Sequence, residues 1–162
     1  MKKIVISAIT LAVGLFSIGI VQLATANSTV EQTWQPLSSL VTTEKLTEII
    51  TENTAPSADR EAIAAAAIAY EQNGLLLVDF NVPVLCGRGG CSLAGYRSST
   101  GERVLNVYVE RMNRDEPIVE VVDRDGFELP CLLVPPDPTN VSIFEETDKD
   151  TLCYQNESWS IQ

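Results

Sequence analysis

The sequence predicts an α+β domain: one or two N-terminal helices packed on a five- to six-stranded antiparallel sheet, held by two disulfides. Three observations predict it. Helix-spaced apolar residues and an alanine run are confined to residues 43–73, short apolar runs separated by turn residues fill the chain after Gly74, and four cysteines follow Asn27. Helices that come first and strands that come after give segregated layers rather than a parallel sheet.

The first 26 residues hold 17 apolar side chains and no acid. Lys2 and Lys3 give a positive start, residues 4–21 carry no charge, and Ala24-Thr25-Ala26 places small residues where a signal peptidase reads. Cleavage before Asn27 is expected. The rival is an uncleaved anchor, since 18 uncharged residues are about the shortest span, but Ser7, Thr10, Gly14, Ser17 and Gly19 weaken it. Either way Lys2 and Lys3 stay inside and the rest is exported. The expected location is the periplasm or the exterior, with a tethered form as the alternative. The expected organisation is a signal peptide at 1–26, a polar N-terminal arm with a short helix at 27–56, and a disulfide-stapled α+β domain at 57–162.

In the arm, Leu46, Ile49 and Ile50 fall at helical spacing, which predicts a short amphipathic helix over 43–51 capped by Thr42 or Thr43. Pro56 and Ser57 open a stronger helix. Asp59 and Glu61 suit its positive end, residues 63–70 are a high-propensity run, and Asn73-Gly74 reads as its left-handed stop.

Residues 75–80 read as a central strand, and Pro83 makes 82–85 an edge extension or a bend. Residues 92–97 and 103–110 flank Ser98-Ser99-Thr100-Gly101-Glu102, a hairpin whose expected register sets Tyr96 against Leu105, Ala94 against Val107 and Ser92 against Val109. Residues 118–123 and 127–134 form a second hairpin. A two-residue Asp125-Gly126 turn would oppose Glu120 to Cys131. A three-residue loop Arg124-Asp125-Gly126 pairs Val121 with Leu129 and Val119 with Cys131, buries the apolar set, and is the expected register. Pro135-Pro136-Asp137-Pro138 is a stiff crossing before a short strand at 141–144, an acidic loop at 145–150 and a last segment at 152–161.

Composition excludes whole classes of chemistry. The chain has 11 Lys+Arg, 22 Asp+Glu and no histidine. Without Lys2 and Lys3 the mature part keeps 9 bases against 22 acids, a net charge of −13. Nucleic-acid binding and docking on anionic lipid both need cationic surface, so neither is expected. No Ser-His-Asp triad, Cys-His dyad or histidine-ligated zinc can form. No cofactor, metal site or catalytic residue is expected.

In an exported chain four cysteines read as two disulfides, with three connectivities open. Cys86 and Cys91 are close neighbours, and Cys131 with Cys153 is the natural second pair, whose larger ring restricts the unfolded chain by on the order of 3 kcal/mol. No Cys-x-x-Cys spacing supports zinc or a redox dithiol.

The most distinctive local feature is Gly87, Arg88, Gly89 and Gly90 between the first two cysteines. Glycines let the chain turn inside a small ring, which is ordinary structural work. The same four residues could cradle an anion with free N–H groups and Arg88, and Arg88 could also be bait for a trypsin-like protease. Residues 77–96 resemble a segment of small exported bacterial proteins that carry Cys-Gly-x-Gly-Gly-Cys at a strand junction. That resemblance implies an exported, bacterial setting and transfers no activity.

Asp123-Arg124-Asp125-Gly126 with Glu128 has the composition of a calcium loop but lacks its remaining acids, and a turn explains it. The acids at 145–150 are solvated surface or a weak divalent site. Glu120 and Glu128 are the acids expected as diagonal neighbours on one face, the pairing a glycosidase needs. Two exposed acids on an open sheet equally serve solubility. Trp159 is expected against the domain. The sequence therefore points to an exported non-enzymatic binding or assembly protein with an unidentified protein partner. A small periplasmic hydrolase using paired carboxylates and a protease inhibitor presenting Arg88 are the alternatives.

Overall fold

A computed structural model describes residues 32–87, 90–110, 117–135 and 149–162. The leader, the strand expected at 141–144 and the acids at 145–148 lie outside the described residues. Among the described residues the fold is α+β, with three helices and two antiparallel sheets of six and four strands, so the expected single sheet is split in two.

Gln35–Pro36 form β1, and three helices follow: α1 Leu37–Leu40, α2 Thr43–Asn53 and α3 Arg60–Ala66. Thr42 caps α2 by accepting the Lys45 N–H at 3.3 Å. In the first turn, Glu44 is held below the ordinary carboxylate range by its own backbone N–H and by Thr42. Asp59, rather than Pro56 or Ser57, starts α3 by accepting the Ala62 N–H at 3.1 Å. Leu37, Ile49, Ile50 and Ile63 point from these helices into the core.

The alanine-rich helix does not run on to Asn73. It ends at Ala66, and Ile68–Gln72 become β2, paired residue for residue with β3, Leu75–Asp79. Asn73 and Gly74, with φ of 45° and 83°, form the two-residue turn of a hairpin instead of a helix stop. The energetic reason lies in β3, all five of whose residues are buried. An unpaired edge there would leave buried amides unsatisfied at about 1–3 kcal/mol each. Helix propensity differs by at most about 0.7 kcal/mol per ordinary residue, so the ladder wins.

Pro83–Leu85 form a single 3-10 turn, leading into β4, Cys86–Gly87. The longest strand, β5 (Gly90–Arg97), pairs with β3 and β4 along one edge and with β6, Arg103–Val109, along the other. The expected hairpin is present, but its register is one residue off. The turn occupies 98–101, the Arg97 N–H donates to the Glu102 carbonyl at 2.8 Å, and a bulge at Val104 then sets Gly95 against Leu105 and Leu93 against Val107. Leu105 therefore faces away from Tyr96. A Cβ at position 95 would lie 2.8 Å from that of Leu105, so glycine is what lets the strands close in this register.

Alternation along β3 and β5 divides the core into two layers. Leu76, Val78, Ala94 and Tyr96 pack against the helices, whereas Leu75, Leu77, Cys91 and Leu93 pack against the second sheet. A sheet buried on both faces explains why β3 reads as a continuous apolar run.

The second sheet has the order β10-β9-β8-β7, from β7 (Glu120–Val122), β8 (Cys131–Val134), β9 (Asp150–Gln155) and β10 (Ser158–Ile161). The second expected hairpin is also corrected. Val121 pairs with Leu132 and Val122 with Cys131, which leaves 123–130 as a loop. Neither short turn fits, because Pro130 has no N–H for a ladder and Leu129 is needed in the core, where it is 4% exposed. Asn156 and Glu157, with φ of 52° and 61°, turn β9 into β10.

Both expected disulfides are present, Cys86–Cys91 and Cys131–Cys153. Two disulfides favour an oxidising, exported location. No helix among the described residues is long and apolar enough to cross a membrane.

Candidate functional site

The 123–130 loop folds back over the β2–β3 turn and bounds an open cleft of about 370 Å³, lined by Asn73 and by loop residues that include Asp123, Arg124, Asp125, Phe127 and Glu128. Three of the four charged groups, Asp123, Arg124 and Glu128, are positioned by contacts that tie the loop to a strand or turn. Asp123 Oδ2 accepts from Gln72 Nε2 at 2.9 Å and from Asn73 Nδ2 at 2.8 Å. Arg124 Nη2 donates to Thr151 Oγ1 on β9 at 3.2 Å. Glu128 accepts from Arg97 Nη2 at the end of β5 at 3.3 Å, and this bond raises the Arg97 guanidinium above its ordinary value. Arg97 also lies over the Tyr154 ring, 5.5 Å from its centroid. Beside the cleft, burial and then the charge of Asp123 push the Tyr70 phenol up.

The carboxylate pair expected at Glu120 and Glu128 is not assembled by this register. Glu120 lies opposite Leu133 on β7 and is salt-bridged to Lys149, whereas Glu128 sits in the loop with Arg97. Among the described residues no cluster of three or more Cys, Asp or Glu could hold a metal ion.

At the glycine-rich ring, Gly87 pairs with Gly90 and Cys86 with Cys91, so the staple joins directly opposed residues. Gly90 has φ of 104°, and a Cβ there would meet the Val109 carbonyl oxygen at 2.3 Å, which fixes glycine at this position. Arg88 and Gly89, on which the anion and bait readings turn, lie outside the described residues.

A polar cluster between α2 and the β5–β6 hairpin escaped the sequence reading. Asn53 Nδ2 donates to the Tyr96 hydroxyl at 2.6 Å, and that hydroxyl donates to Glu52 Oε2 at 3.2 Å. Arg103 Nε meets Glu52 Oε1 at 3.3 Å, and Lys45 sits over the Tyr96 ring while donating to the Gly101 carbonyl at 2.8 Å. Burial, opposed by the Asn53 bond and reinforced by Glu52, pushes Tyr96 up to about 12. With Tyr96 itself 1% exposed, this cluster holds helix to sheet rather than facing a ligand.

Both tryptophans pack on tyrosines. Trp34 packs on Tyr70 with ring centroids 6.0 Å apart. Trp159 is half-buried against Tyr154, and its Nε1 donates to the Val104 carbonyl at 2.7 Å. The bulge that shifts the first hairpin thus turns a carbonyl outward, and the second sheet satisfies it. Compared with known proteins, the chain matches no family model, no curated protein and no solved structure.

Proposed function

We propose that this chain is an exported binding or assembly protein of the periplasm or the cell exterior, rather than a catalyst. One observation carries the reading: three of the four charged side chains of the cleft, Asp123, Arg124 and Glu128, are engaged in joining the 123–130 loop to the β2–β3 turn, β5 and β9. An acid or base that works on a substrate must reach it with a free oxygen or nitrogen in defined geometry. Contacts that suture a loop to a scaffold favour a rigid display surface instead. Elsewhere among the described residues, Val84, Tyr108 and Ile161 are exposed apolar side chains open to a partner, at 73%, 66% and 66% exposure.

The test is site-specific photo-crosslinking in the native host. A crosslinker replacing Asp125, Tyr108, Val84 or Ile161 in turn should yield a discrete adduct with one protein at one or more of these positions, and the same probe at the exposed Glu61 of α3 should not. Hydrolysis of a glycoside, ester or peptide probe by the purified chain, lost in Glu120→Gln or Glu128→Gln, would overturn the proposal.

A further inference from the structure

We propose that the Cys86–Cys91 bridge is a latch that exchanges with dithiols while the domain stays folded, and that Cys131–Cys153 is closed to such exchange. The two bridges are of one kind, which makes their surroundings decisive. Each joins directly opposed residues of an antiparallel pair: Cys86 faces Cys91, and the Leu132–Leu152 pairing sets Cys131 opposite Cys153.

Cys131 and Cys153 are 0% exposed and lie on the two interior strands of the four-stranded sheet. Cys131 has Val122 of β7 on its other side, and Cys153 has Ser160 of β10. Neither sulfur meets solvent in the folded domain, so a thiolate reaches that bridge only through a larger opening of the sheet. Cys86 differs on each point. It is half-buried, belongs to the two-residue β4, and follows a turn whose Val84 is 73% exposed. Its bridge partner Cys91 is held independently, because β5 pairs Cys91 with Val109 and runs on between β3 and β6. Opening the bridge releases β4 and the turn before it, and leaves the two core layers in place.

The exchange balances as follows. One thiolate of the dithiol attacks Cys86 Sγ, the Cys86–Cys91 bond breaks, and Cys91 leaves as a thiolate that takes up a proton. The second thiol of the reagent then attacks the mixed disulfide, closes it to a cyclic disulfide and releases Cys86 as a thiol. Two electrons and two protons pass from the dithiol to the protein. The Gly87–Gly90 pairing and the tight seat of Gly90 on Val109 keep the two sulfurs close, so the latch re-forms by exchange with a small disulfide such as oxidised glutathione, which takes back the two electrons and two protons.

The test uses the oxidised protein and dithiothreitol, at concentrations that leave its near- and far-ultraviolet circular dichroism unchanged. Samples are quenched with iodoacetamide over time and digested with trypsin. Alkylation of Cys86 and Cys91 should run roughly tenfold or more ahead of Cys131 and Cys153, because the buried pair waits on a rarer opening. Equal rates, earlier labelling of Cys131 and Cys153, or no labelling until the spectrum collapses would each overturn the proposal. The Cys86→Ala/Cys91→Ala variant should keep the wild-type spectrum and a closed Cys131–Cys153 bridge, and its unfolding would equally refute a latch that opens in the folded state.

Discussion

Replacing Gly95 with alanine separates the observed register of the β5–β6 hairpin from the one its sequence suggests, because the two predict opposite signs. In the sequence-derived register position 95 faces Asn106, and an added methyl group would meet no core side chain. Glycine inside a strand costs roughly 0.5–1 kcal/mol relative to alanine, so Gly95→Ala would then stabilise by about that amount. In the structure the new Cβ lands 2.8 Å from Leu105 Cβ, with Leu75 Cδ1 and Leu77 Cδ2 each at 3.4 Å. The neighbour at 2.8 Å is the root of its side chain rather than a flexible tip, so relief requires β5 and β6 to move apart. Overpacking of this kind costs typically about 1–3 kcal/mol, which exceeds the entropic gain and leaves a net loss of roughly 0.5–2 kcal/mol. Urea unfolding followed by tryptophan fluorescence measures it: the midpoint should fall with the slope unchanged. A midpoint that stays put or rises would refute the pairing of Gly95 with Leu105 and the packing of Leu75 and Leu77 beneath it.

Three further outcomes follow from the layers. Because the folded state holds the Tyr96 phenol near 12 and the unfolded state near 10, the unfolded chain loses its proton first. Stability is therefore fully present below pH 10 and is lost as pH rises through the window from 10 to 12. The full shift corresponds to roughly 3 kcal/mol, and screening at the partly exposed Glu52 and Arg103 rim reduces it to on the order of 1 kcal/mol. Tyr96→Phe should flatten that part of the alkaline denaturation curve, and an unchanged curve would contradict the burial of the hydroxyl. Trp159→Phe keeps the ring against Tyr154 but leaves the Val104 carbonyl without its donor, so unfolding should become easier by roughly 1 kcal/mol, with faster amide exchange in β10 than in β3. Removing the Cys131–Cys153 ring by paired alanines should destabilise by about 3 kcal/mol, against about 2 kcal/mol for Cys86–Cys91, in chemical denaturation. The reverse order would refute the ring-size argument.

The parts of the fold set by local chemistry were legible in the sequence. Thr42 as a cap, the buried Ile49 and Ile50 of α2, the apolar run of β3 and the two disulfides follow from neighbours in the chain. What was not legible depends on residues far apart. Residues 68–72 sit at the end of an alanine run and become a strand because β3 needs a partner. The signal for that outcome was present in Asn73-Gly74, which fits a hairpin turn as well as a helix stop. Both hairpin registers were misread where tertiary contacts override the turn: Trp159 holds the bulged Val104 carbonyl, and Gln72 with Asn73 draws Asp123 and its loop onto the first sheet. The candidate site shared that fate. Glu120 and Glu128 are neighbours in a register the chain does not adopt, whereas the Tyr96 cluster joins residues up to 56 apart in sequence that no periodicity links.

The central claim is an exported fold fixed by two specific crosslinks, and the chain is arranged so that a single digest can read it. Trypsin cuts at Arg60, Arg88, Arg97, Arg124 and Lys149 place the four cysteines on four separate peptides, 61–88, 89–97, 125–149 and 150–162. Non-reducing mass spectrometry of protein recovered from its own cells should find 61–88 linked to 89–97 and 125–149 linked to 150–162, with an N-terminus at Asn27 in a soluble form. Free thiols on all four peptides, or either cross-pairing, would contradict it.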